Sequence, residues 1–254
     1  MTTAHGDHRD PERSLKLLWE DRARPPRGRP PALTLDAIVA AAVETADELS
    51  RTEGLEGLTM RAIATRLGVG TMSLYRYVPG KGELLDLMLD RVIADYVPEE
   101  EDGDRGWREV LEAEARCQWR MCMDHPWYPF VDQSRPILGP NSMQSLDRIL
   151  GLLRRDGGDD RSLMMMVGVQ SDYVMGVARS YINERRAVER TGLSGDDFWA
   201  AQAPTLEQAL LSGRFPTMAA LAENTFDWSY EQLFEFGLNR LHDGFASYFE
   251  ERTA

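Results

Sequence analysis

The chain has 254 residues, 43% apolar and 28% charged, with a formal net charge of −13. That composition belongs to a globular protein with room for one large domain or for a small and a larger one. No apolar run approaches the ~20 residues that span a bilayer, and the start "MTTAHGDHRD" lacks the apolar stretch of a secretory signal, so a cytoplasmic protein without a membrane partner is expected.

Charge is unevenly spread along the chain. Residues 1–97 carry a net charge of −2 and residues 98–254 a net charge of −11. Two stretches hold bases and no acid: residues 22–35, with Arg22, Arg24, Arg27 and Arg29, and residues 57–82, with Arg61, Arg66, Arg76 and Lys81. An acidic bulk repels polyanions, so any nucleic-acid contact is expected within the N-terminal part.

In chain order, the first thirty residues are polar and proline-rich, with one short apolar cluster at Leu15, Leu17, Leu18 and Trp19. They read as a flexible basic arm over residues 1–32. From "ALTLDAIVAAAVETADELSRTEG" a helix is predicted, capped by Thr34, with Ile38, Ala42, Ala46 and Leu49 on one face and Gly54 closing it. "LTMRAIATRLG" predicts a second, two-turn helix with Thr59 as cap and Gly68 as stop. "VGTMSLYRYV" predicts a third, ended by Pro79 and Gly80, and "GKGELLDLMLDRVIADYV" a fourth, ended before Pro98. An acidic, glycine-containing stretch from Glu99 to Gly106 marks a domain border, leaving 33–97 as one domain and 98–254 as another. Further helices are predicted over 107–124, 141–155, 160–190, 196–212 and 229–252, so the expected fold class is all-α.

The second and third helices have the spacing of a helix-turn-helix unit, which needs a small residue at the crossing, a glycine in the turn and apolar clamps. Ala64, Gly68 and the set Ile63, Leu67, Val69 and Leu74 supply these. At 100° per residue, Leu74 and Val78 share the core side of the third helix and Arg76 lies opposite, with Met72 beside it. Thr71, Ser73, Tyr75 and Tyr77 fall on the flanks. A solvated face would carry Glu and Lys; this set suits a major groove, where arginine reads guanine, methyls touch thymine and hydroxyls reach phosphate. The competing reading is a Tyr-Arg-Tyr packing edge against a neighbouring helix.

Thr59, Arg61, Ala64, Leu67-Gly68-Val69, Ser73 to Tyr77 and Gly80-Lys81-Glu83-Leu84-Leu85 resemble the DNA-binding domain of the tetracycline-repressor (TetR) family of bacterial transcription regulators. The resemblance covers residues 33–97. It implies a homodimer on a pseudo-palindromic double-stranded operator, controlled by a small-molecule effector in the C-terminal domain. By position, Thr59, Tyr75 and Lys81 would hold phosphates, Arg61, Thr71, Met72, Arg76 and Tyr77 would lie at or near base edges, and Ser73 would touch phosphate or base. In the arm, Arg27-Gly28-Arg29-Pro30 resembles the core of an AT-hook, which would give Arg27 and Arg29 minor-groove or phosphate contact; a solvated basic linker is the competing reading.

The C-terminal half holds five of the six tryptophans and eight of the twelve methionines. Trp119, Trp127, Tyr128, Phe130, Met143, Met166, Gln170 and Tyr173, spread over consecutive helices, are the expected lining of an effector cavity. The last helix carries Phe234, Leu238, Leu241, Phe245, Tyr248 and Phe249 in one stripe, with Gly237 and Gly244 permitting close approach. "FEFGLNRLHDGF" resembles the C-terminal domain of the tetracycline repressor type, and this implies that the last helix and the long one from Asp160 build a four-helix dimer interface; an intramolecular core is the competing reading of the stripe. His125 and His242 lack the spacing of a metal site and are expected at a helix end or on the surface. Cys117 and Cys122 lie roughly 140° apart on one helix and are expected reduced and buried. There is no phosphate loop, nucleophile motif or metal signature, so no cofactor and no enzyme is expected; a non-regulatory architectural DNA-binding protein is the second reading.

Overall fold

The computed structural model describes residues 10–20, 33–50, 54–96, 105–222 and 224–253. Eleven α-helices run through them: α1 Pro11–Trp19, α2 Leu35–Leu49, α3 Met60–Arg66, α4 Thr71–Tyr75, α5 Lys81–Ile93, α6 Trp107–Asp124, α7 Pro140–Leu153, α8 Asp160–Thr191, α9 Gly195–Leu211, α10 Pro216–Ala219 and α11 Tyr230–Thr253. The expected capping residues do their work. Thr34 Oγ1 accepts the Ala37 N–H at 3.1 Å, and Thr59 Oγ1 accepts that of Ala62 at 3.1 Å.

Helices α2 to α5 close around Ile38, Ala42, Ile63, Leu74, Val78, Leu84 and Leu87, all buried. The same apolar cluster continues through Met121, Cys122, Trp127 and Tyr128, so the two halves of the chain meet across a continuous core. Beyond it, α6, α8 and α11 pack on one another. Leu111, Ile149, Leu153, Leu163, Met166 and Phe249 form one cluster, and Ala115, Val174, Phe234 and Leu238 a smaller one. Cys117 and Cys122 are free and buried, and burial pushes the Cys122 thiol up to about 12, which keeps it inert.

Three expectations are corrected. Residues 10–20, read as part of a flexible arm, form an ordered helix. Asp10 caps α1 by accepting the N–H groups of Glu12 and Arg13, Leu18 enters the core, and the Trp19 indole N–H donates to the Leu138 carbonyl at 3.0 Å. The physical reason is a prepared surface on α5, whose Glu83, Asp86 and Asp90 are all buried. Glu83 accepts the Asp10 N–H, and Asp86 accepts the Ser14 hydroxyl at 2.6 Å. An isolated nine-residue segment would not be helical; docked on these acceptors it is.

The aromatic stripe of α11 is the second correction. Phe234, Leu238 and Phe249 are buried within the chain, while Phe245 and Tyr248 pack against the Leu111 cluster and Leu241 is half-buried. The stripe is intramolecular core. Gly237 does allow a close approach: the Tyr173 hydroxyl donates to the Leu233 carbonyl at 2.6 Å, and a Cβ on Gly237 would collide with that ring. Gly244 faces open space.

The third concerns His242, which is buried in the core. Its Nε2 lies 2.8 Å from Gln170 Oε1, Trp107 and Phe245 flank the ring, and burial pulls its pKa below the usual imidazole range. His125 is at a helix end as expected, at the C-cap of α6.

Candidate nucleic-acid interface and effector region

The turn between α3 and α4 depends on Gly68, whose φ of 66° lies in the left-handed region that a side chain disfavours. The Val69 N–H returns to the Ala64 carbonyl at 3.0 Å, closing the turn over the buried Ala64. Helix α4 then lies with Leu74 and, just beyond its end, Val78 fully buried. Its opposite side is open: Met72 is 76% exposed, Tyr75 and Arg76 are exposed, and Thr71 and Ser73 are half-buried at the rim. Arg76 Nη2 donates to Ser73 Oγ at 3.3 Å, which holds the guanidinium along the outward face. Regular helix ends at Tyr75; the Tyr77 and Val78 N–H groups both return to the Leu74 carbonyl before the chain leaves at Pro79.

The structure distributes the remaining candidates unequally. Arg61 is exposed on α3 and Thr59 is exposed at its cap, both within the same helix-turn-helix unit. Tyr77 stands apart: it is half-buried and its hydroxyl donates to the Leu33 carbonyl at 3.0 Å, tying the end of α4 to the entry of α2. Lys81 Nζ donates to the Leu55 carbonyl at 2.6 Å at the start of α5. Arg66, one of the bases in the acid-free stretch, is folded onto α2, where Glu48 accepts from both its terminal nitrogens (2.7 and 2.8 Å) and Glu44 from its Nε. The local positive face is therefore narrower than the sequence suggests. Arg27 and Arg29 lie outside the described residues.

The eight candidate effector residues are spread over several packing clusters. Trp127 is fully buried and its indole N–H donates to Asp47 at 2.7 Å; Tyr128 is buried beside it; Phe130 lies under the Arg186 guanidinium at 4.4 Å. Trp119 and Tyr173 pack with the Phe234 cluster, and Met166 belongs to the Leu111 cluster. Gln170 is buried between the Leu111 carbonyl and His242, and Met143 is exposed on α7.

What periodicity missed is a set of interior polar pairs between α6, α7, α8 and α11. Gln118 donates to the Ser171 hydroxyl at 2.7 Å, Glu114 faces Arg148 at 3.5 Å, and Gln170 meets His242. Burial raises the Glu114 carboxyl above its usual range, outweighing the attraction of Arg148. Polar side chains on core-facing positions of "VLEAEARCQW" were the available signal. The structure also shows what joins this region to the DNA-binding helices. Asp90 on α5 accepts the Ser142 N–H at 2.9 Å, the Ser142 hydroxyl at 2.8 Å and the Asn141 side-chain amide at 3.0 Å, gripping the N-terminus of α7. Among the described residues no cluster of three metal-ligating side chains occurs, and no helix is long and apolar enough to cross a membrane.

Comparison with known proteins agrees with this geometry. Residues 38–88 match the family model for bacterial regulatory proteins of the tetR family, and residues 97–248 match the tetracyclin repressor-like C-terminal domain. The chain is 51% identical over 235 residues to the HTH-type transcriptional repressor DrrR1 of Streptomyces coeruleorubidus, covering 92% of this chain and 85% of that protein. Apo ActR from Streptomyces coelicolor superposes with a TM-score of 0.69 at 30% identity over 88% of this chain and all of that one. ActR in complex with actinorhodin superposes with a TM-score of 0.68 at 31% identity, over 85% of this chain and 97% of that one. With a helix-turn-helix unit presenting an outward arginine and an all-helical second half, the chain belongs to the TetR family and is a DNA-binding transcriptional regulator.

Proposed function

We propose that this regulator is a homodimeric repressor of a pseudo-palindromic operator, released by a small apolar or amphipathic molecule held in the C-terminal half. The observation that carries the DNA contact is the face of α4. Arg76 and a 76% exposed Met72 stand on the side opposite the buried Leu74, a pairing with no stabilising role in a monomer. In this reading Arg61, Thr71, Met72, Ser73 and Arg76 approach base edges, while Thr59, Tyr75 and Lys81 face the phosphates. Tyr77 positions α4 through Leu33, and Arg27 and Arg29 add minor-groove or phosphate contact.

Apolar side chains left open on α8 (Met164, Met165 and Val169), on α9 (Phe198 and Trp199) and on α11 (Phe236) support a second copy as partner. Polar pairs such as Gln118–Ser171 and Glu114–Arg148 amid apolar walls support an effector between α6, α7 and α8. A ligand that displaces α7 would pull on Asp90 and hence on α5, altering the separation of the two α4 helices. In this reading the protein acts in the cytoplasm and is not an enzyme.

Selection of bound sequences from a random duplex library tests the reading. The expected result is a two-fold consensus with half-sites about one helical turn apart. Uniform affinity across unrelated duplexes would instead mark an architectural DNA-binding protein.

A further inference from the structure

A cleft of about 370 Å³ opens away from the interior polar pairs, where the C-terminal end of α2 meets the end of α6 and the second half of α8. Its size is within the range of small-molecule sites. The walls come from both halves of the chain: Asp47, Glu48 and Ser50 from α2 and its C-cap, and Tyr181, Arg185 and Glu189 from α8, with Asp124 at the α6 end.

The chemistry of this lining is selective. Of its two guanidinium groups, Arg186 is already engaged: Nε donates to the Ser50 carbonyl at 2.8 Å, Nη2 to the Pro126 carbonyl at 3.4 Å, and its face covers Phe130. It is a strut between α2 and the turn after α6. Asp47 is a second strut, accepting from His125 Nδ1 at 2.9 Å and Trp127 Nε1 at 2.7 Å. The other guanidinium, Arg185, sits 5.9 Å from the centre of the Tyr181 ring, so the chain itself places a cation over the aromatic wall. Glu48 is already paired with Arg66, so against these two positive charges stand the carboxylates of Asp47, Asp124 and Glu189, a surplus of one negative charge. An anion entering the cleft would meet surplus negative charge; a cation would not. Tyr181 is backed by Trp119 and Tyr230, which gives the wall a flat and rigid character.

We propose that this cleft is an interdomain binding site for a small organic cation with a flat apolar body, which stacks on Tyr181 in place of Arg185 and sets its positive charge toward Glu189 and Asp124. A molecule seated there touches α2 of the DNA-binding part and α8 of the C-terminal part at once. Occupancy therefore favours whichever relative placement of the two parts closes the cleft best, giving a second input to operator affinity, separate from a ligand among the interior pairs. That regulatory consequence rests on the repressor reading; the binding itself does not.

The test is calorimetric titration of the full chain with tryptamine as probe and indole-3-propionate as its anionic counterpart of similar shape. Tryptamine is expected to bind at least fivefold more tightly than the acid. Glu189→Lys, at an exposed position that folding tolerates, is expected to abolish that preference, and Tyr181→Leu to weaken tryptamine at least fivefold. Gln118→Ala, among the interior pairs, is expected to leave it unchanged. Equal affinity for amine and acid, or loss with Gln118→Ala while Glu189→Lys has no effect, overturns the proposal. Because the titration contains no DNA, its failure is distinguishable from a failure to select operator sequences.

Discussion

The Asp90 carboxylate on α5 receives the Ser142 backbone N–H at 2.9 Å and its hydroxyl at 2.8 Å, so one buried side chain of the DNA-binding half serves as the N-terminal cap of a helix in the other half. Gly139, the N-cap residue of α7, passes so close to this carboxylate that any Cβ would strike it. The two helices are joined by a charge-assisted contact with no slack.

Asp90→Ala removes that cap and leaves the Ser142 and Asn141 N–H groups without their acceptor in a part-buried site. A loss of about 2 kcal/mol of unfolding free energy is expected, the cost of stranding such donors. Urea denaturation measures it, and a loss below about 0.5 kcal/mol would show that the cap is replaceable by water.

Arg76→Ala is expected to cost about 1–3 kcal/mol of operator affinity and to relax base preference at one position of each half-site, with unfolding free energy unchanged because the side chain is exposed. Binding measured on the selected operator and its single-base variants separates the outcomes. Equal weakening on every sequence would make Arg76 a phosphate contact.

Ser14→Ala deletes the hydroxyl that donates to the buried Asp86 at 2.6 Å. Hydrogen bonds to charged groups contribute about 1.5–3 kcal/mol, and a destabilisation of that order is expected, whereas Lys16→Ala on the exposed side of α1 should be silent. Equal behaviour of the two variants would mean that α1 does not dock on α5 in solution.

Docking of α1 also changes how the basic segment must be tested. Deleting residues 1–30 would remove core packing by Leu18 along with the arginines. Substituting Arg27 and Arg29 by glutamine isolates the charge effect. The slope of log K against log[salt] is expected to flatten by roughly 0.9 for each phosphate that the arginines no longer neutralise, with thermal stability unchanged. An unaltered slope would place both side chains off the DNA.

His242 gives a pH dependence with a definite sign. Burial lowers its pKa in the folded state, so as pH falls below the ordinary imidazole value near 6.5 the unfolded chain takes up a proton that the folded chain resists. Stability is full above that value and declines as pH drops toward the folded pKa. His242→Gln, which can still donate to Gln170, is expected to shrink the difference in melting temperature between pH 7.5 and 5.5. A difference of the same size in the variant would assign the acid sensitivity to other groups.

Much of this protein was legible in its sequence because the determining physics is local. Capping by Thr34 and Thr59, the left-handed turn at Gly68, and the burial of Leu74 and Val78 opposite Arg76 all follow from residues within one or two turns of each other. What the tertiary structure alone decided depends on partners distant in the chain. Ser14 is 72 residues from Asp86, Asp90 is 52 from Ser142, and Gln170 is 72 from His242. Periodicity shows that a face is apolar but not which apolar face meets it, so the α11 stripe could be assigned to a partner or to the core only when α6 and α8 were in place. Net charge likewise misled at Arg66, whose neutralising Glu48 lies on another helix, 18 residues earlier. A buried polar group reveals its purpose only when the second group that satisfies it is known, and in this chain one such pair, Asp90 with Ser142, joins the two halves.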